Sequence, residues 1–480
     1  MTVRAFALIF PTFALAFWFQ SATAPLAAEP AKPVAGNGTD AAAIFPAMET
    51  VHLRDGRTYT GLIESEEDTW VNLIQIRRPH GQPMFLVILP LDRAAIASID
   101  RLPPGEREKL RQQIEQFIHR ARIEGGRMEA VQLQAYQKAG ITYQHFTGRW
   151  FELDSTVDEL TTRRIVVRVE QAFTGYRQLL PPRHEPSRPL RLIVFGSPAE
   201  YQEYLRGLNL QFEQRACYLR EQNLVLAASD LALYAAELAQ VGVAHDRLRS
   251  ELSTLQNKLA GRLRQYSQHL QQSGVPSAEV ARLLNLEKQN SAREFAEKQR
   301  QLQTYDRQNG RHFEQLTAQL FQRLDHEALH AYLENCVYPH DQYDVPFWLN
   351  EGLAVMVEGG QWEGGVLRID APNRAALRRL QADLAAKHPL ALSELLSADQ
   401  QVFLNKHHTE ADQSQRYYAA AWGLVYCLTY QRNLLDEKQL DRYVTPRGGH
   451  IAPESRFEQW IGQSLADFEP AWREYVRGLK

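Results

Sequence analysis

The chain has 480 residues, 44% hydrophobic and 23% charged, with 54 basic and 57 acidic residues and a formal net charge of −3. That profile excludes collagen, full disorder and a multispan membrane protein, and it gives no global electrostatic case for nucleic acid. Three scattered cysteines, Cys217, Cys336 and Cys427, are too few for a disulfide scaffold or a Cys-based zinc site.

The first 28 residues read as a secretory signal. Arg4 precedes an apolar run from Ala5 to Phe19, and the small residues through Ala28 follow it. The apolar run is short for a membrane span, so the expected product is an exported protein, periplasmic, cell-envelope or secreted, with no transmembrane domain after signal removal. Residues 29–45, rich in Ala, Pro and Gly, read as a flexible linker. Residues 46–103 carry five short extended runs, beginning with Val51-His52-Leu53-Arg54 and the turn Asp55-Gly56, and closing with Ile96-Ala97-Ser98-Ile99. His80-Gly81 supplies another turn among them. This spacing predicts a small β-barrel, SH3-like, of the kind that serves as a binding module or spacer.

Residues 104–145 read as a charged helical linker, with Leu110, Ile114, Phe117 and Ile118 at helical spacing and Gly125-Gly126 breaking the run. Residues 146–232 read as mixed α/β: strands at Trp150–Leu153, Leu190–Phe195 and Leu224–Ala227, and helices at Thr161–Leu180 and Pro198–Leu208. Residues 233–310 contain almost no Gly or Pro. Leu248, Leu252, Leu255, Leu259 and Leu263 recur at spacings of three and four, Gly274-Val275-Pro276 interrupts, and a second helix runs from Ala278 to about Gln308. This predicts an inserted antiparallel helical hairpin that borders a cleft or docks a protein partner.

Residues 311–480 hold the chemistry. Phe313, Leu316, Leu320 and Leu324 form an apolar helical stripe leading into His326-Glu327-Ala328-Leu329-His330, an H-E-x-x-H motif. Residues four apart share a helix face, so both imidazoles can reach one ion, and Glu327 projects beside them without being a ligand. Catalytic zinc sites use three protein ligands and keep one position for water, so a third ligand must come from elsewhere in the chain. Eighteen residues after His330 begins the run Trp348-Leu349-Asn350-Glu351-Gly352-Leu353-Ala354, followed by Glu358.

The pair of motifs resembles that of the gluzincin metallopeptidases, especially the aminopeptidase-N-like branch, and is similar to that of bacterial peptidase-MA-like proteins. The resemblance implies an α+β, zincin-like metallopeptidase domain in which His326, His330 and Glu351 bind Zn²⁺ and Glu327 is the catalytic base and acid. Two neutral imidazoles and a carboxylate leave such a site at charge +1, which favours water activation. Asp325, Asn350 and Glu358 are candidates for orienting the ligand imidazoles. The later run Tyr417-Tyr418-Ala419-Ala420-Ala421-Trp422 resembles a Y-x-x-A-W element of the peptidase-MA-like group, and Tyr418, in line with Trp422 and Tyr426, is the candidate oxyanion donor. His407 and His408 are weaker candidates for that role. The aminopeptidase segment G-x-M-E-N is missing: Gly126-Arg127-Met128-Glu129-Ala130 lies too early and lacks the Asn, and Met356 replaces an aromatic in the second motif. In gluzincins an edge strand before the zinc helix binds substrate, and Leu224–Ala227 is the candidate strand here.

The function expected is therefore hydrolysis of peptide bonds in a peptide or protein substrate by an exported zinc enzyme. The competing reading is a non-enzymatic cell-envelope scaffold that binds partners through the β-barrel and hairpin and whose zinc site is structural or vestigial; a fourth protein ligand would favour it. The ligand set alone also fits another metal hydrolase, such as an amidase.

Overall fold

The computed structural model describes residues 47–77, 84–186, 189–211, 213–363, 366–404, 411–434, 437–446 and 451–479. The expected signal and linker, His80-Gly81, and His407 and His408 lie outside these residues.

The first unit is one antiparallel sheet of β1 (Glu49–Leu53), β2 (Thr58–Glu66), β3 (Trp70–Arg77), β4 (Phe85–Asp92) and β5 (Ile96–Asp100), in the order β4-β3-β2-β1-β5. Gly56, at φ +87°, makes the β1–β2 turn, a conformation that costs glycine little. Strand alternation sorts the apolar residues onto two faces. Val51, Ile63, Val71 and Leu73 form one cluster. Leu62, Ile74 and Ile76 form the other, packed against Leu110, Ile114 and Phe117 of α1 (Pro104–Ile118). The predicted strands are all present, but the sheet does not close into a barrel. A 3-10 turn at Arg93–Ala95 carries the chain from β4 to the free side of β1, and β4 and β5 form no ladder among the described residues. The helical break falls at His119, before α2 (Arg120–Ala130), and not at Gly125-Gly126, which α2 absorbs.

A second sheet has the order β10-β11-β9-β8-β7-β6. Its strands are β6 (Gln134–Lys138), β7 (Ile141–Thr147), β8 (Phe151–Ser155), β9 (Leu190–Phe195), β10 (Ala216–Leu219) and β11 (Leu224–Ala228). The β8–β9 and β9–β11 pairs are parallel; α3 (Glu159–Leu179) lies between β8 and β9, and α4 (Pro198–Gly207) follows β9. One face packs Leu153, Leu192 and Val194 with Ile165, Val169 and Phe173 of α3 in the main core. The other packs Ile193, Phe195 and Leu226 with Tyr201 and Leu205 of α4. Leu224–Ala227 is therefore not an edge strand. It is buried throughout, between β9 and β10, and β10 forms the edge.

Two long helices follow, α5 (Leu231–Gln272) and α6 (Ser277–Tyr332), antiparallel neighbours joined by a turn with Gly274 at φ +76°. The hairpin is present, but its second arm does not end near Gln308. It runs unbroken through Gly310 into the H-E-x-x-H segment, so one 56-residue helix carries both the arm and the motif. A π-helical turn, Leu333–Val337, succeeds it.

The remainder is mostly helical. A two-residue strand β12 (Tyr343–Asp344) precedes α7 (Phe347–Glu358), which is buried on all sides from Trp348 to Val357. A hairpin of β13 (Gln361–Glu363) and β14 (Val366–Arg368) leads to α8 (Arg374–Leu384), α9 (Leu392–Ser397), α10 (Gln400–Leu404) and α11 (Ala411–Tyr430). Then come α12 (Glu437–Tyr443), the strand β15 (Thr445–Pro446) paired with β12, α13 (Pro453–Ile461) and α14 (Leu465–Gly478). Helix α7 is the hub of this part. The Trp348 indole donates to the Tyr443 hydroxyl at 3.2 Å. Gly352 lets α11 approach closely, since a Cβ there would lie 2.6 Å from the Ala421 carbonyl oxygen and 2.5 Å from Val425. The molecule is thus α+β, and among the described residues no helix is long and apolar enough to cross a membrane.

Candidate metal centre

The third expected ligand meets the first two because α7 packs against the C-terminal end of α6. Leu324, Ala328 and Leu329 anchor that end of α6 in the core, and Trp348, Leu349 and Leu353 anchor α7. The packed pair of helices then brings His326, His330 and Glu351 together, with one donor atom from each within 4.8 Å of the others. His326 Nε2 lies 3.3 Å from Glu351 Oε2, and His330 Nε2 lies 3.5 Å from Glu351 Oε1.

The far nitrogens of both rings are also engaged. His326 Nδ1 is 3.1 Å from Glu358 Oε2, and His330 Nδ1 is 3.0 Å from Asn350 Oδ1. Both partners are acceptors on α7. A proton on each Nδ1 satisfies them and leaves each Nε2 lone pair aimed at Glu351, the arrangement that orients imidazoles for a metal. Two of the three residues expected to orient the imidazoles, Asn350 and Glu358, thus bond to them. Asp325 does not touch the imidazoles. It is fully buried, accepts from Arg168 at 2.5 Å, and ties α6 to α3; Tyr176 on α3 donates to the Asp325 carbonyl at 2.7 Å. Burial raises the Asp325 carboxyl to about 6, with Arg168 opposing.

The donor set fits a divalent cation. Glu351 Oε2 is buried without a hydrogen bond. A carboxylate and two imidazole lone pairs converging in a buried site require positive charge among them. Protons on the imidazoles supply it in one way. Burial opposes protonation of His326, yet the neighbouring Glu351 and Glu358 carboxylates hold its pKa well above the usual value, and His330 is raised by Glu351 against the same burial. Burial likewise opposes ionisation of Glu351, but the imidazoles hold it at about 2. One cation bound by all three residues meets the same demand, and two imidazoles with one carboxylate form a set typical of catalytic zinc.

Glu327 lines the site and is no member of the ligand cluster. Burial raises its carboxyl pKa; His326, His330 and the Tyr218 backbone pull it down, and the Glu351 charge adds to the rise. Tyr218 belongs to the edge strand β10, so Glu327 sits between the imidazoles and an open strand.

Two clefts meet at this point. One of about 480 Å³ is lined by Glu327, His330, Glu351, Arg220 and Tyr418, and one of about 1370 Å³ by His326, Glu327, Arg323, Glu358 and Tyr418. Tyr418, on α11, is part-buried, its ring edge-on to Phe403. Its hydroxyl makes no hydrogen bond among the described residues. Burial and then the Glu351, Glu327 and Glu358 charges raise its pKa, so it stays a protonated donor at neutral pH. The aromatic stripe it begins has two roles along its length. Trp422 and Tyr426 are buried in the core, where the Tyr426 hydroxyl donates to the Asp370 carbonyl at 2.6 Å, and Tyr418 alone reaches the cleft.

Gly126-Arg127-Met128-Glu129-Ala130 lies on α2 and lines neither cleft. Nor does any α5 residue, and α6 contributes only from Arg323 onward, so the hairpin does not rim the site as expected. Sequence reasoning passed over Glu334. It is buried, lines the smaller cleft and forms a two-point ion pair with Arg220, at the end of β10 (Nε to Oε2, 2.7 Å). The signal was its place four residues after His330, at the π turn; such turns recur at functional sites.

Comparison with known proteins adds one match. A family model described as a protein of unknown function (DUF1570) matches residues 322–440. The matched segment runs from just before His326 to beyond Tyr418, and so holds both motifs and the candidate donor. No curated protein and no solved structure matches the chain.

Proposed function

We propose that this protein is an exported, zinc-dependent peptidase of gluzincin type. The observation that carries the reading is the convergence of His326, His330 and Glu351, both imidazoles oriented from behind, on a point beside Glu327 and open to two clefts. The ligand count of three and the open clefts favour a water-activating site over a closed structural one. The N-terminal apolar segment supports export, and the five-stranded order with β5 beside β1 supports an SH3-like module.

His326, His330 and Glu351 would hold the ion, which when bound supplies Lewis acidity and lowers the pKa of water. The chain's own residues divide the remaining work. The edge strand β10 offers backbone groups to an extended peptide, in the manner of an added strand. Glu327 takes a proton from the attacking water as its oxygen bonds to the carbonyl carbon, and delivers that proton to the amine nitrogen as the C–N bond breaks. The Tyr418 hydroxyl donates a hydrogen bond to the oxyanion that develops on the former carbonyl oxygen. Asn350 and Glu358 keep the imidazoles in register through the cycle.

The test is hydrolysis of an unstructured protein such as casein. The expected result is cleavage by protein holding one zinc per chain, loss of cleavage on chelation, and recovery on adding one equivalent of zinc. Fully zinc-loaded protein that cuts neither casein nor a mixed peptide library would refute the proposal.

A further inference from the structure

The larger cleft is unusually rich in arginine for a wall that also holds a carboxylate base. Five arginines line it, from the segment before β10 and from α6, α8 and α11, together with four carboxylates. Glu327 is one of the four. Of the rest, Glu358 holds His326 and Asp383 holds Arg416. On the basic side, Arg215 is paired with Asp230. Arg323 and Arg378 make no ion pair among the described residues.

Arg323 is the informative one. It stands three residues before His326 on α6, so its side chain leaves the same helix face as the first ligand. It is part-buried, and its guanidinium donates to the Ala228 carbonyl at 3.1 Å, which spends one of five N–H donors. Burial and then the Arg215 charge lower its pKa, against weaker pulls from Asp230 and Glu358, both already engaged elsewhere. A part-buried cation beside a second cation, with no anion of its own, is costly unless a ligand supplies one. Arg378 adds a further unpaired guanidinium from α8, its Nε bonded only to the Arg374 carbonyl at 3.2 Å.

We propose that Arg323 and Arg378 form an anion subsite of the larger cleft that selects peptides carrying a carboxylate close to the scissile bond. The inference rests on the peptidase reading above and adds its substrate class. A guanidinium binds a carboxylate in a two-point, charge-assisted geometry, and Arg323 stands one helical turn from the first ligand. The carboxylate can come from an Asp or Glu side chain or from the peptide's C-terminus.

The test uses zinc-loaded full-length protein and a matched set of peptides with Asp, Ala or Lys at positions flanking the cleavage site, each with a free and an amidated C-terminus. The expected result is a kcat/KM at least about tenfold higher for carboxylate-bearing peptides than for neutral ones. Loss of the preference on amidation assigns the C-terminus; its persistence assigns the side chain. Arg323→Ala should lower the acidic-to-neutral ratio by about 10- to 100-fold, mainly through KM, with partial recovery in Arg323→Lys. Arg378→Ala, on the exposed side of α8, should lower the ratio in a protein whose zinc content and circular dichroism are unchanged. Equal rates on acidic and neutral peptides, or an unchanged ratio in both variants, would overturn the subsite while leaving the peptidase standing. If no peptide is cut at all, the peptidase reading fails, and binding decides the subsite alone. A fluorescein-labelled Asp-containing peptide should then bind the zinc-loaded Glu327→Gln protein and be released in the Arg323→Ala background; absence of binding would overturn the subsite too.

Discussion

Glu327→Gln is expected to reduce peptide hydrolysis by at least about 1000-fold, the middle of the range for removing a general acid–base, with zinc still present at one per chain. The substitution keeps size, shape and one oxygen, and removes only the ability to take up a proton near neutral pH. Glu327 is separate from the three converging donors, so its amide leaves His326, His330 and Glu351 in place. Its surroundings suit the task. Burial raises the carboxyl pKa above the usual carboxylate value, and the two imidazoles oppose the rise. Metal analysis and kcat measured on the same preparation check both halves. Full activity in Glu327→Gln would rule out the proposed mechanism; loss of zinc together with activity would move Glu327 into the ligand set.

Glu351→Ala should bring the opposite pattern, with zinc content falling from one per chain to near zero after dialysis and activity falling with it. Glu351 supplies the carboxylate and lies against both imidazoles. Without it the site retains two neutral donors on one helix, a pair that binds zinc weakly compared with a three-ligand site. The fold should persist, because Trp348, Leu349 and Leu353 keep α7 in the core. Inductively coupled plasma mass spectrometry gives the zinc content, and far-UV circular dichroism checks the helices. Zinc retained at full occupancy in this variant would place the ion elsewhere.

How much of this was legible in the sequence follows from where each signal resides. Local patterns carried well. The four-residue spacing of His326 and His330 defines a helix face whatever the fold, and the strands from Glu49 to Asp100 follow their alternation. Asn350 and Glu358 were readable as orienting groups because they sit on the same short helix as Glu351, one and seven residues away. Pairing over long distances carried poorly. Leu224–Ala227 reads as a strand, but nothing local says that it lies between β9 and β10. Its parallel pairing with residues 191–195 decides that, and the edge passes to the weaker run Ala216–Leu219. Gly125-Gly126 suggested a break that does not occur, and the second hairpin arm, expected to end near Gln308, runs on through Gly310. A glycine inside a helix costs about 1 kcal/mol against alanine, which the 56-residue α6, anchored in the core at its C-terminal end, absorbs at Gly310. Glu334 was passed over because its meaning depends on Arg220, more than a hundred positions earlier. Whether five strands close depends on the two edge strands, and neither β4 nor β5 announces its partner.

The most direct test of the central claim is zinc K-edge X-ray absorption on the purified full-length protein. The account predicts stoichiometric zinc in a shell of nitrogen and oxygen only, with two imidazoles, one carboxylate and one exchangeable light-atom ligand that an added hydroxamate displaces. Sub-stoichiometric zinc after reconstitution, a sulfur scatterer, or a fourth protein ligand that hydroxamate leaves in place would contradict it.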